Sequence, residues 1–242
     1  MKGMSMRCLG IIGFLCSALL SSAQDSIPAT QNKYIFFPYP VTNKTWHSSL
    51  GLTLTAMPQD ITEEVQVRIP AIDFHVLRGM PKGFYLDGRI NFQLLQNHTS
   101  VGLRWARSMN HKVSISLGDD FAFWFGSLTI GSFDTKAHGW MNYPGVSVGF
   151  RVDHDLLFTL KGEALINLSS KSTVAGLTVE DQKIKFNGWS AALIMEQPFY
   201  GKKNLTLGVR AMYTNFFWQT WSLYETFDRN IFYPEIIIGF IL

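Results

Sequence analysis

The chain has 242 residues, of which 47% are hydrophobic, 14% aromatic and 16% charged. Soluble proteins carry about 25% charged residues, so this composition argues against an ordinary soluble domain. The formal charge is +3, from 21 Lys and Arg against 18 Asp and Glu; without residues 1–23, which hold two basic and no acidic residues, the balance is 19 against 18. Such a neutral chain offers no basic patch, which excludes nucleic acid as an expected partner.

The first 23 residues predict a secretory signal peptide. Lys2 and Arg7 give a positive start, residues 9–20 form an apolar run, and residues 21–23 form a small-residue cleavage site. The apolar run is too short for a permanent membrane anchor. Both cysteines, Cys8 and Cys16, lie in this segment. We therefore predict cleavage after residue 23, export, and a mature chain without disulfides.

An N-terminal leader, residues 24–45, is predicted to precede a barrel domain at residues 46–242. The leader begins with a polar stretch and continues into an aromatic run, residues 34–39, that contains Pro38. Aromatic residues favour a strand, whereas proline interrupts one. We interpret this run as part of the leader or as a partial strand.

The remaining sequence shows the period-2 alternation of β-strands and no helical periodicity. In the clearest case, Leu86 and Ile90 fall on one face of a strand. Asp87 and Arg89 fall on the other face. The pattern predicts ten strands, at about residues 47–57, 64–77, 83–95, 98–107, 112–126, 142–152, 156–168, 184–196, 204–215 and 231–242.

Two positions break this alternation. The apolar phase of the second strand changes near Pro70 and Ala71, where one β-bulge would restore it and accommodate the proline. Such a bulge would place Arg68 and Asp73 on the same polar face. In the fifth strand Asp119 falls on the apolar face, and the sequence offers no explanation for it.

The tenth strand ends the chain without a polar tail. An exposed apolar terminal strand would be an open edge, which proteins avoid. A closed barrel removes the edge, because the last strand pairs with the first. Five large apolar residues fall on one face of this closing strand, namely Phe232, Ile236, Ile238, Phe240 and Leu242.

Connection lengths alternate along the chain. The connections after even-numbered strands are short, whereas three after odd-numbered strands are long, at about residues 127–141, 169–183 and 216–230. Outer-membrane barrels have this asymmetry. Over residues 46–242 the chain resembles, in pattern, the outer-membrane β-barrel proteins of Gram-negative bacteria, whose assembly machinery reads an aromatic near the last position, here Phe240.

The resemblance implies an all-β, antiparallel, up-and-down transmembrane β-barrel in the bacterial outer membrane. We expect about ten strands, or twelve if residues 34–41 and 174–179 also pair. The alternative is a soluble lipocalin-like or sandwich protein. The weakly charged second face, rich in Gly, Ser and Thr, favours a narrow lumen over a water-facing surface. Expected partners are outer-membrane lipid, lipopolysaccharide and the barrel-assembly machinery.

Charges of both signs fall on the predicted inward face. In a narrow lumen they would form a structural ion-pair network or, alternatively, line a solute pathway. The set consists of Arg68, Asp73, Asp87, Arg89, Arg104, Asp120, Arg151, Lys161, Glu163, Glu196, Arg210 and Glu235.

Catalytic signals are weak. Asp153-His154-Asp155 reads as a turn, and His138 with Asp134 is a sparse hydrolase pattern. Histidines are scattered without metal-ligand spacing, and we expect no cofactor. The sequence therefore predicts a structural or surface-interaction protein with a polar, occluded lumen. The alternatives are a narrow passive channel and a surface hydrolase.

Overall fold

Strands account for most of the structure, a computed structural model that describes residues 33–56, 68–93, 96–130, 133–152, 156–200, 203–214 and 229–242. The predicted signal peptide and most of the polar stretch of the leader lie outside these ranges. The described strands are β1 Trp46–Ala56, β2 Arg68–Gly79, β3 Phe84–Phe92, β4 Gln96–Ser108, β5 Val113–Ile130, β6 Phe133–Arg151, β7 Leu157–Val174, β8 Leu177–Gln182, β9 Lys185–Tyr200, β10 Lys203–Thr214 and β11 Ile231–Ile241.

Ten of these strands close into an antiparallel ring. Each pairs with the next in the order β1 to β7, then β9, β10 and β11. β11 returns to β1, with a register that runs from Ser49 opposite Ile241 to Thr55 opposite Glu235. The predictions of a ten-stranded up-and-down barrel and of a closing last strand are confirmed. β8 pairs with the last residues of β7, from Ser170 to Val174, whereas β9 pairs with β7 from Leu157 to Asn167. β8 therefore adds no strand to the ring.

The predicted bulge in the second strand is wrong. β2 pairs with β1 without a register shift from Arg78 to Arg68. Arg68 and Asp73 are five positions apart (73 − 68) in this unbroken ladder, so the extra residue that would have aligned them is not inserted between them. Pro70 lies beyond the described β2–β3 ladder, which ends at Ile72, so among the described residues it faces a paired strand only on the β1 side. Proline is tolerated at such a position because it cannot donate to a second ladder.

Two of the predicted long loops are strands. β5 and β6 pair as far as Ile130 and Phe133, across the predicted loop 127–141. β7 and β8 pair as far as Val174 and Leu177, across the predicted loop 169–183. The third loop falls largely outside the described residues. At one end of the ring every connection is short, namely those after β2, β4, β6 and β9, and both ends of the described chain lie there too; we call this the turn end. The opposite end, which we call the loop end, carries the longer connections 57–67 and 215–230 beside the short ones after β3 and β5.

Large apolar side chains point outward from every strand of the ring. A water-soluble barrel would turn them inward, so the polarity of this barrel is inverted. The exposed residues include, one from each strand, Leu50, Phe74, Ile90, Val101, Phe121, Val146, Leu160, Leu193, Val209 and Ile236.

The closing strand follows the same rule. Its predicted apolar face points outward, with Phe232, Phe240 and Leu242 well exposed and Ile238 partly so. Tyr233 and Glu235 on its other face are buried. β11 therefore presents an apolar surface outside and contributes a carboxylate inside.

Residues 33–41 follow a bent path and do not pair as a strand, whereas residues 174–179 pair where β7 meets β8, outside the ring. The twelve-strand alternative is therefore wrong for the ring. Tyr34, Ile35 and Phe37 are buried against inward-facing residues of five strands. Those strands, β2, β3, β4, β7 and β11, surround the lumen, so the segment fills the barrel at the turn end. We call residues 33–41 the N-terminal plug. The inward residues that it contacts are Leu77, Tyr85, Ala106, Leu157 and Ile241.

Candidate functional site

The interior of the barrel is the candidate site, because the charged side chains of neighbouring strands converge there. Of the predicted lumen set, the Arg68 side chain lies outside the described part of the structure. The others point into the barrel: Asp73, Asp87, Arg89, Arg104, Asp120, Arg151, Lys161, Glu163, Glu196, Arg210 and Glu235.

Arg104 is the centre of a charged layer across the lumen. Its Nε donates to Asp87 Oδ2 at 2.7 Å, and its Nη2 donates to Asp120. The same Nη2 lies 3.7 Å from Glu163 Oε1. Asp87 and Asp120 come from the strands on either side of β4. Glu163 comes from β7, three strands away, so this contact spans the interior.

Two further bonds extend the layer. His75 Nε2 donates to Asp87 Oδ1 at 2.6 Å, so Asp87 serves both His75 and Arg104. Lys161 Nζ lies 2.6 Å from Glu163 Oε1. Buried charges are costly unless they are paired or hydrogen-bonded, as these are. We call the set His75, Asp87, Arg104, Asp120, Lys161 and Glu163 the ionic layer.

Glycines on the inward face make room for Arg104. A Cβ atom at Gly118 would collide with the Arg104 side chain, and one at Gly102 would collide with the Asp120 carboxylate. Because neither glycine has a side chain, Arg104 and Asp120 can pack directly against the backbone of the neighbouring strands.

Separate ion pairs flank the layer on the side of the loop end. Arg89 Nε donates to Asp73 Oδ1 at 2.9 Å and Arg89 Nη2 donates to Asp73 Oδ2, a bidentate geometry that is favourable for Arg. Arg210 Nη1 lies 3.2 Å from Glu235 Oε2. Thr55 donates a further hydrogen bond to Glu235. Each flanking pair joins neighbouring strands.

A cavity of about 60 Å³ lies on the side of the ionic layer that faces the loop end. Its lining runs from Arg104 and Asp87 in the layer to Gln93 and His98 near the loop end. A space of this size holds a few water molecules. The ionic layer therefore closes this small polar cavity on the side that faces the turn end.

The plug fills a second part of the lumen, between the ionic layer and the turn end. Glu196 Oε1 accepts hydrogen bonds from the backbone N–H groups of Ile35 and Phe36, at 2.8 and 3.2 Å. Its Oε2 accepts one from Phe37 at 2.8 Å. The sequence assigned Glu196 to the lumen but gave no signal for this role, because its partners are backbone groups about 160 residues away.

The weak catalytic patterns gain little from the structure. Asp134 accepts a hydrogen bond from Thr129 and pairs with Lys136, while His138 is exposed on β6. Asp153-His154-Asp155 lies outside the described residues. Within the described ranges no three His, Cys, Asp or Glu side chains are placed to hold a metal ion. Nor does that part of the chain contain a helix of the length and apolarity that crosses a membrane.

The fold and the site together define a closed, ten-stranded antiparallel barrel with an apolar exterior and a charged, filled interior. No protein-family model and no curated protein matches the chain. Among solved structures, the chain is similar to the translocator domain of the autotransporter NalP from Neisseria meningitidis, with a TM-score of 0.44 and 9% identity over 97% of both chains. It is similar to the NanC porin, with a TM-score of 0.41 and 9% identity over 79% of this chain and 98% of that chain. For the KdgM porin the TM-score is 0.37, with 8% identity over 80% of this chain and 97% of that chain.

Proposed function

We propose that the protein is an outer-membrane β-barrel protein with a closed lumen, which acts as a structural or surface-interaction protein. The observation that carries this proposal is the ionic layer. It joins β3, β4, β5 and β7 across the interior. Opening a pore would require breaking several of these pairs, and each broken pair leaves a buried charge without compensation.

Membrane residence is supported by two belts of outward aromatic residues. Phe84 and Phe240 are exposed near the turn end, and Phe92 and Phe232 are exposed near the loop end. On β3 and on β11 the two aromatic residues are eight positions apart (92 − 84 and 240 − 232). A strand crosses a bilayer with about 9–11 residues, and aromatic girdles mark both interfaces of membrane barrels.

The unequal strand lengths support the orientation and the surface role. β5 has 18 residues and β6 has 19, well above the 9–11 that cross a bilayer. Both extend beyond the loop-end belt. In outer-membrane barrels the short turns face the periplasm and the longer connections face outward. We therefore assign the turn end to the periplasm and the β5–β6 hairpin to the cell surface.

The proposal predicts heat-modifiable mobility. A closed barrel satisfies its backbone hydrogen bonds internally and resists detergent until it is boiled. We expect unboiled and boiled samples of membrane-extracted protein to migrate differently on a detergent gel. We also expect the protein in the outer-membrane fraction. Equal mobility in both samples, or recovery with soluble periplasmic proteins, would contradict the proposal.

Conductance separates a closed barrel from a channel. We expect wild-type protein in a planar bilayer to give no steady ion current, because the ionic layer and the plug both lie in the path. The gel-shifted fraction should be used, so that only folded protein is measured. A stable, ion-selective current would reject the closed lumen and favour the narrow passive channel.

The proposal assigns the protein no catalytic activity and no cofactor. Its partners are outer-membrane lipid, lipopolysaccharide and, during biogenesis, the barrel-assembly machinery. A hydrolytic activity that is lost on His138→Ala would contradict this assignment and favour the surface hydrolase.

A further inference from the structure

The N-terminal plug occupies a site that fits it closely. Tyr34, Ile35 and Phe37 are each exposed by 5% or less. Gly149 leaves space for the plug, because a Cβ atom there would lie 2.6 Å from the Phe37 ring and from Pro38. The Arg151 guanidinium lies 6.0 Å from the centre of the Phe37 ring, within the range of a cation–π contact.

Polar contacts fix the backbone of the plug at several points. His47 Nδ1 donates to the Tyr34 carbonyl at 2.7 Å. Asn204 donates to the Lys33 carbonyl at 2.5 Å, and Lys33 in turn donates to the carbonyl of Leu242. These partners come from β1, from β10 and from the end of the chain. The site for the plug is thus assembled from distant parts of the barrel.

Glu196 makes the central contact. Its carboxylate is 1% exposed and accepts three consecutive backbone N–H groups of the plug. Consecutive N–H groups that point to one place form an anion site, and hydrogen bonds to a charged acceptor are among the strong ones. Across the described part of the chain Glu196 makes no salt bridge. The plug is therefore what compensates this buried charge.

The plug is attached to the barrel wall without strand pairing. A turn connects it to β1, with Thr45 N–H bonded to the Thr42 carbonyl and Lys44 at a φ of 65°. Withdrawal of the plug would break the contacts to Glu196, His47 and Asn204 but none of the strand ladders of the ring.

We propose that residues 33–41 are a releasable plug of the turn end, and that Glu196 is the latch that holds it. The lumen then has two closures in series, the ionic layer in the middle and the plug at the turn end. Release of the plug opens the turn end as far as the ionic layer while the ring stays closed.

Cysteine labelling of the folded, full mature protein in detergent tests this proposal. Both native cysteines lie within residues 1–23, so a cysteine at position 35 of the mature chain is unique. Ile35→Cys, at a site 3% exposed, should react slowly with a water-soluble maleimide. Lys112→Cys, in the exposed β4–β5 turn, gives the fast reference rate.

In the Ile35→Cys background, Glu196→Ala should raise the labelling rate at least about tenfold. That is the change produced by the loss of about 1.4 kcal/mol, which one charge-assisted hydrogen bond supplies. Glu235→Ala is the matched control, since it removes another buried inward carboxylate, one that bonds Thr55 and Arg210 rather than the plug. It should leave the rate within about twofold of the background.

Gel mobility must show that each variant is a folded barrel. If Glu196→Ala does not fold, Gly149→Val tests the proposal independently, because its side chain intrudes on Phe37 and should expel the plug with the same rise in rate. Slow labelling in a folded Glu196→Ala protein would show that Glu196 is not the latch. Fast labelling of Ile35→Cys alone would show that the plug is not seated. Either result overturns the proposal.

Discussion

Deletion of residues 231–242 is expected to abolish assembly of the barrel. β11 pairs with β10 along its whole length and with β1 from Ser49 to Thr55. Without it, two strand edges would face lipid, where each unsatisfied backbone group costs several kcal/mol. The measurement is the yield of heat-modifiable protein in the outer-membrane fraction, which should fall to background.

Phe240→Ala is the control for this deletion. Phe240 points outward and packs against Phe199, with ring centres 5.9 Å apart, but the substitution leaves the ladder intact. We expect it to reduce the yield without abolishing assembly. A deletion variant that still inserts and shifts on heating would show that the ring closes through another pair of strands.

Arg104→Ala is expected to have the largest effect of any single substitution in the lumen. It leaves Asp87, Asp120 and Glu163 facing one another without the guanidinium that joins them. Removing one partner from a buried ion pair costs about 3–5 kcal/mol. The free energy of unfolding in detergent, followed by guanidinium titration and gel mobility, should fall by about that amount.

Arg78→Ala is the matched control for Arg104→Ala. This substitution removes the same guanidinium group, but from the outer face of the barrel, where Arg78 lies 5.0 Å from the centre of the Trp46 ring. An exposed cation–π contact contributes about 0.5–1 kcal/mol. Similar losses for the two variants would mean that the ionic layer does not stabilise the barrel more than a surface contact does.

Period-2 alternation predicted most of the ring because the two faces of each strand meet different environments. In β3, Leu86 points outward and Asp87 points into the lumen, and each environment selects its own residue type. The alternation also gave the closing strand with the correct faces. A face pattern of this kind survives wherever a strand separates an apolar exterior from a polar interior.

Period-2 alternation fails to predict a strand where its two faces no longer meet an apolar exterior and a polar interior. The far half of the β5–β6 hairpin extends beyond the aromatic belt, so its two faces no longer separate lipid from the lumen. Residues 127–141 therefore lack a clear alternation, although they pair as strands. The plug was missed for another reason, since its prolines and aromatic residues resemble a leader and its partner, Glu196, is remote in sequence.

The position of Asp119 could not be explained from the residue pattern of its own strand. It is exposed on the outer face of β5, and its Oδ1 accepts a hydrogen bond from Asn142 Nδ2 on β6 at 2.6 Å. The partner lies 23 residues along the chain and on the adjacent strand. Only the register of the two strands brings the pair together.

The ring also imposes an order on folding. Every pairing except β1 with β11 joins strands that are near in sequence, whereas Ser49 and Ile241 are 192 positions apart (241 − 49). Bringing such distant ends together costs roughly 2.5 kcal/mol more chain entropy than closing a ten-residue hairpin. The seam between the first and last strands should therefore form late, after the hairpins. Ile241 and Leu242 both contact the N-terminal plug, so the first described residues of the chain are among the last to reach their native positions.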